Sequence, residues 1–265
     1  MTEKKVACVF GGNGGVGSSL VNLLHNNYNI INIDLNNSDI DTDLLSAHDR
    51  EKCIDKILNL TEGYFDAVIF CSGGHYPMCA SDVVSLNYYS IVEMCNNLKR
   101  ISKKSFSIIL IGSASIQELD EESKKIAKSY LIKTEELVKK ELSTKKIFTL
   151  ESMNQYVISK MSLTLWGIIN SIDKKWLDKK IRINIVAPGI LDTKLTKQFL
   201  KFPVGASIIR KGGPPLKRFG KPHEVAKLIE FLISDDASFI NGSVFYIDGG
   251  MSAANFVNNN LKFQI

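Results

Sequence analysis

The 265-residue chain has no run of about 18 consecutive apolar residues, so no transmembrane helix is expected. Its start, Met1-Thr-Glu-Lys-Lys5, passes straight into a short apolar run and then glycines. The longer apolar segment and small-residue cleavage site of a secretory signal are missing, which points to a cytoplasmic protein with no membrane partner. Cys8, Cys53, Cys71, Cys79 and Cys95 make an odd set without a CxxC pair, and the four histidines lie far apart. Neither a disulfide framework nor a metal template fits, so reduced, mostly buried thiols are expected. The net charge of +5 would suit nucleic acid, but the lysines come in scattered pairs such as Lys103-Lys104 and Lys179-Lys180. With no groove-reading motif among them, no nucleic-acid partner is expected. There is also no Gly/Pro/Ser-rich linker and no internal repeat of about 20–50 residues. Hydrophobic residues make up 45% and charged ones 23%, which excludes a collagen or a disordered tail. Open α/β units reach about 250 residues, so residues 1–265 read as one domain.

What is present is an alternation. Strand-like runs at 5–10, 30–35, 67–71, 106–111, 147–150, 181–187 and 244–247 alternate with helical periodicities at 18–25, 47–58, 83–101, 157–176 and 224–233. Such alternation implies right-handed crossovers and an α/β fold, a doubly wound parallel sheet covered on both faces. Two stretches are irregular. Between Asp34 and Asp66 there is room only for a short strand at 41–45 and one helix. Residues 116–143 are long, charged and helical, with Leu119, Ile126, Tyr130, Leu137 and Val138 on an apolar face. They read as a helical insertion, about 116–150, that packs on the core or on another subunit.

Three clusters carry chemistry. The first strand ends in Gly11-Gly-Asn13-Gly14-Gly15-Val16-Gly17 and a helix follows. Such a turn lets a pyrophosphate approach the free N–H groups at the helix start. Asp34 ends the second strand, where a carboxylate binds both ribose hydroxyls and repels a 2′-phosphate. Leu35-Asn-Asn-Ser38 follows with no Arg or Lys, so NAD(H) is expected over NADP(H). Asp43 and Leu44 are expected to flank the adenine. Tyr156-Val-Ile-Ser-Lys160 places two side chains on one helix face, where the ammonium favours the phenolate and lowers its pKa. Ser113 closes the strand at 106–111 on its carboxyl edge, where ligands bind, and Asn87 lies within a helix. Pro188-Gly189 ends a buried strand in a turn, and Asp248-Gly249-Gly250 lies near the carboxyl terminus.

This ordered set resembles the short-chain dehydrogenase/reductase family over nearly the whole chain. The shortened third-strand region, the long insertion and the stretch from Asp66 to Tyr88 resemble its bacterial 3α-hydroxysteroid dehydrogenase/carbonyl reductase branch. The resemblance implies Tyr156 as general acid/base, Lys160 as its partner at the nicotinamide ribose, and Ser113 polarising the substrate oxygen. Asn87 would hold a water linking Lys160 to solvent. Ser115 is a rival for the Ser113 role that fits the register less well. Ser72, Gly73, Gly74, Ile190 and Thr193 would complete the cofactor contacts. A homodimer or homotetramer is also implied.

Three departures from the family pattern stand out. Phe10 replaces the usual Thr, Phe70-Cys-Ser-Gly73 replaces Asn-Asn-Ala-Gly, and 42 residues separate Ser113 from Tyr156. Residues 191–219 form the expected substrate lid, made apolar by Leu195, Phe199, Leu200, Phe202, Val204, Ile208 and Ile209. An apolar or amphipathic secondary alcohol or ketone is the expected substrate. His75 is a candidate for the pocket rim. The alternatives are a sugar or biosynthetic intermediate as substrate, or a non-catalytic nicotinamide-binding regulator.

Overall fold

The computed structural model describes residues 4–75, 77–143, 149–201 and 213–260. The apolar runs become seven strands: β1 (Lys5–Phe10), β2 (Tyr28–Asp34), β3 (Ile40–Asp41), β4 (Ala67–Phe70), β5 (Ser107–Ile111), β6 (Arg182–Pro188) and β7 (Val244–Ile247). They form one sheet in the order β3-β2-β1-β4-β5-β6-β7, with every pairing parallel. Strands β1, β4, β5 and β6 are nearly continuous in Val, Ile, Ala and Phe because both of their faces are covered.

The helices are α1 (Gly15–Leu24), α2 (Ala47–Thr61), α3 (Ala80–Val84), α4 (Ser90–Ile101), α5 (Glu121–Tyr130), α6 (Glu135–Ser143), α7 (Thr149–Ser171), α8 (Lys174–Leu177), α9 (Lys194–Phe199), α10 (Pro222–Ile233) and α11 (Met251–Asn260). One core lies between the sheet and α2, α4 and α7, built on Phe10, Ile33, Phe70, Met94, Leu110 and Ile185. The other lies under α1 and α10, built on Val9, Leu20, Ile69, Val186 and Ile229. None of the described helices is long and apolar enough to cross a membrane.

Four expectations change. The strand expected at 147–150 is not found at Thr149 and Leu150, which open α7, while residues 144–148 lie outside the described residues. β5 pairs directly with β6, so no strand stands between them in the sheet, and Thr149 and Leu150 are spent on the helix that carries Tyr156 and Lys160. The third strand shrinks to Ile40–Asp41, leaving Asp43 and Leu44 in the turn that leads to α2. The helical periodicity at 83–101 is interrupted by a π-turn, Ser85–Tyr89, between α3 and α4. Leu137 is exposed; the insertion buries Ala127, Tyr130, Val138 and Leu142 in the core instead. The insertion therefore packs on this chain's own core, through α5 against α7 and α6 against α3.

Candidate active site

The carboxyl ends of the central strands gather the three clusters of the sequence along one edge. Gly11 leaves β1 at φ 77°, and a Cβ there would lie 2.5 Å from the Ser72 nitrogen. Gly17 is equally constrained, since a Cβ would stand 2.0 Å from the Gly11 carbonyl oxygen. α1 starts without a side-chain cap or a carboxylate in its first turn, so its amino end keeps N–H groups for a ligand. Thr193, from the loop after β6, reaches across to the same place: its Cγ2 is 2.8 Å from where a Gly15 Cβ would be.

Asn13 joins this turn to the end of β2. Its backbone N–H donates to Asp34 Oδ2 at 2.8 Å, and its side-chain amide donates to the Asn36 carbonyl at 2.7 Å. Asp34 Oδ1 accepts from the Leu35 N–H at 2.7 Å, which holds the carboxylate at the sheet edge. Beyond it lies a cavity of about 330 Å³ lined by Leu35, Thr42, Asp43, Lys52, Cys53 and Lys56, among others. Leu44 is buried beside it. The donor set fits a dinucleotide: an uncapped helix start, a carboxylate at one end and, among the described residues, a buried Ser72 hydroxyl without a partner.

At the other end stand Ser113, Tyr156 and Lys160. Ser113 follows β5 in extended backbone and caps the 3-10 turn Ala114–Glu118. Its hydroxyl is close enough to Tyr156 to influence the phenol and lies 2.7 Å from the Ser115 hydroxyl, so the rival serine is a partner of Ser113. Burial pushes the Tyr156 phenol up, and the Ser113 hydroxyl opposes the shift. Lys160 is 3% exposed and its Nζ donates to the Ile111 carbonyl at 2.7 Å. Burial lowers its pKa to about 8. The expected lowering of the Tyr156 pKa by Lys160 does not occur in this arrangement. The ammonium is turned to a backbone carbonyl, and desolvation dominates both groups.

Asn87 is fully buried in the π-turn, and the i→i+5 bond from the Ser90 N–H to the Ser85 carbonyl closes that turn. Its side chain accepts from the Gly74 N–H and donates to the Gly74 carbonyl, both at 2.8 Å, and reaches the Ser159 hydroxyl at 3.3 Å. Gly73 is wedged between Asn87 and Lys160, whose Nζ lies 3.3 Å from a Cβ built there. The His75 ring stands edge-on to Tyr156 at 6.1 Å.

A family model described as enoyl-(acyl carrier protein) reductase matches residues 141–252. The chain is 27% identical over 243 residues to the 3-alpha-hydroxysteroid dehydrogenase/carbonyl reductase of Comamonas testosteroni, covering 90% of this chain and 93% of that protein. It is 42% identical over 85 residues to the 3-oxoacyl-(acyl-carrier-protein) reductase FabG of Thermotoga maritima, 32% of this chain and 33% of that one. The structure of the 3-alpha-hydroxysteroid dehydrogenase from Pseudomonas sp. B-0831, complexed with NADH, matches with a TM-score of 0.85 at 26% identity. That match covers 98% of this chain and 100% of that one.

Over nearly its whole length the chain is similar to short-chain dehydrogenases/reductases. It is an oxidoreductase acting on alcohol and ketone groups with a nicotinamide cofactor. In this oxidoreductase Pro188 and Gly189 close β6, and the Gly189 N–H donates to the Ile247 carbonyl at 3.1 Å. Asp248 lies against Gly189, within 2.7 Å of a Cβ built there, so the Asp248-Gly-Gly turn buttresses the β6 loop. Ile190 follows in that loop, with its carbonyl accepting from the Gly220 N–H. Leu195 is exposed on α9, where a lid residue would be; the Phe199 side chain and residues 202–212 lie outside the described residues. Sequence reasoning missed Lys52, Lys56 and Thr42 at the cavity beyond Asp34, because helical periodicity gives no sign of which end of α2 faces a ligand. It also missed Gln155, which accepts from the Tyr130 hydroxyl at 2.7 Å and ties the insertion to the residue before Tyr156.

Proposed function

We propose that the chain interconverts a secondary alcohol and a ketone, NAD(H)-dependent, with Tyr156 as general acid/base. The observation that carries this reading is the pairing of the Ser113 hydroxyl with the buried Tyr156 phenol at the carboxyl edge of the sheet, with Lys160 and Asn87 meeting at Gly73. The nicotinamide supplies or accepts the hydride when bound. In reduction the Tyr156 hydroxyl gives its proton to the carbonyl oxygen, and in oxidation the phenolate takes one. The Ser113 hydroxyl, itself oriented by Ser115, donates to the same oxygen and orients it. Lys160, with a pKa near 8, holds or releases a proton close to neutral pH and can refill the phenol. The Asn87 amide is committed to Gly74 and Ser159, so it holds the wall against Lys160.

Gly11, Asn13, Gly14, Gly15, Val16, Gly17, Ser72, Gly73, Gly74, Pro188, Gly189, Ile190 and Thr193 would hold the pyrophosphate and nicotinamide half. Asp34, Leu35, Asp43 and Leu44 would hold the adenosine. The Asp34 carboxylate at the end of β2 supports NAD(H) over NADP(H). Two full-length relatives named for hydroxysteroids support an apolar or amphipathic substrate, to which Leu195 contributes. A homo-oligomer in the cytoplasm is the matching expectation; its five cysteines, all free, suit a reducing compartment. The test is NADH oxidation with a ketone panel running from cyclohexanone to a 3-ketosteroid. Turnover that vanishes in Tyr156→Phe while NADH still binds supports the reading. NADH binding without turnover of any ketone or alcohol would favour a regulator.

A further inference from the structure

The insertion sends a carboxylate to the turn that carries Asn87. Glu135 opens α6, and its side chain is 13% exposed. One of its oxygens lies 2.9 Å from Arg50 Nη2, and the other accepts a hydrogen bond from the Ser85 hydroxyl. Arg50, on α2, is buried to 4% side-chain exposure and also pairs with Glu93 of α4 at 2.8 Å. Its Nη1 donates to the Leu44 carbonyl at 2.8 Å, beside the adenosine end of the site. One buried guanidinium thus joins α2, α4 and the insertion, with its charge matched by two carboxylates.

Ser85 is the first residue of the π-turn and is held twice. Its carbonyl accepts the Ser90 N–H that closes the turn, and its hydroxyl donates to Glu135. A π-turn adds one residue to an α-helix and is less stable than the α-helix that the same residues could form. The Val84 and Ser90 backbones on either side are ordinary α-helix, so local conformation alone does not say where the extra residue sits. A tie at Ser85 does. Shifting the bulge by one residue would turn Asn87 about 100° around the helix, away from Gly74.

We propose that Glu135 is a positioning residue: through Ser85 it fixes the register of the π-turn, and so the reach of Asn87 to Gly74 and Ser159. This rests on the reading of Asn87 given above. It assigns the insertion a part in the chemistry of a site that it does not touch.

The test uses the full chain with Glu135→Ala, Glu135→Gln, Ser85→Ala and Asn87→Ala. Hydrogen–deuterium exchange of the free protein at amides 85–90 is read first. Glu135→Ala and Ser85→Ala should speed exchange there, while Glu135→Gln, which keeps an acceptor for the Ser85 hydroxyl, should stay close to the parent. In turnover of NADH with cyclohexanone or a 3-ketosteroid, Glu135→Ala should lower kcat by about tenfold to a hundredfold, the scale of a misplacement of about 1 Å. NADH affinity should hold, the pH profile of kcat should move, and the Ser85→Ala/Glu135→Ala double variant should be no slower than the slower single. A purely structural Glu135 would lower the melting temperature and leave the pH profile and the exchange at 85–90 as they were, which would overturn the proposal. If Asn87→Ala kept full kcat, the reading of Asn87 would fall while faster exchange in Glu135→Ala still upheld the tie to the turn. If Asn87→Ala lost activity and Glu135→Ala changed neither kcat nor exchange, the positioning role alone would fall.

Discussion

Phe10 and Phe70 stack face to face, with ring centroids 4.6 Å apart and planes within 14° of parallel. They are register partners on β1 and β4, both fully buried. In the sequence they are two separate departures from the family pattern, one replacing Thr and the other Asn. In the fold they are one contact: an apolar pair stands where a polar pair is usual, so neither leaves a buried polar group without a partner. Truncating either ring to Ala should cost about 3–5 kcal/mol, the usual range for a buried Phe. The double variant should cost less than the sum, because the second truncation removes a ring that has already lost its partner. Chemical denaturation of the four proteins checks this, and strict additivity would mean that the stacking contributes nothing of its own.

Tyr156→Phe should lower turnover by about 10²–10⁴-fold, the usual contribution of a general acid. NADH binding, read by fluorescence, should be nearly unchanged. Ser113→Ala should fall in the same direction and should also lower the phenol's reactivity, since the hydroxyl that opposes the effect of its burial would be gone. Equal kcat in Ser113→Ala and the parent would move the substrate-orienting role to Ser115.

Asp34→Ala should weaken NADH binding by about 1.5–3 kcal/mol, the range for hydrogen bonds to a charged group, while NADPH binding improves. Titrating both cofactors against both proteins decides it. NADPH bound as tightly as NADH by the parent would point instead to Lys52 or Lys56, which line the cavity beyond Asp34.

Lys160 also sets a pH dependence of stability. Its pKa is about 8 in the fold against an ordinary 10.5, so between those values the unfolded chain binds more protons. Stability from this group therefore rises as pH climbs from about 8 towards 10.5, and its cost is fully present below 8. Full removal of that cost is worth roughly 3 kcal/mol. Lys160→Met should be the more stable protein near neutrality and should lose that advantage as pH rises through the window. Parallel unfolding curves at neutral and alkaline pH read the crossing; a constant gap would mean that Lys160 titrates normally.

Most of the strands were legible because their signal is local: an apolar run bounded by Gly, Pro or Asp reads the same in any context. The glycine turn and Asp34 were legible for a related reason, since each serves through its own backbone or its place at a strand end. The strand expected at 147–150 misled because a short apolar run does not by itself distinguish a strand from the first turn of a helix, and Thr149 and Leu150 open α7. Nothing in Ser85-Leu-Asn87 announces a π-turn, because its cause lies 50 residues away in Glu135.

The sequence by itself determined the alternation of strands and helices, the order of the motifs along the chain, and the kinds of side chain available for catalysis. These follow from periodicity and residue chemistry, which depend on near neighbours. Only the tertiary structure decided which of those side chains meet. It placed Thr193 against Gly15, Phe10 on Phe70, Ser115 beside Ser113 and the insertion's Glu135 under the turn of Asn87. It also turned Lys160 towards a backbone carbonyl, which made desolvation the dominant influence on its proton. Contacts between residues far apart in the chain, and the burial that shifts a pKa, come into being only when the layers close.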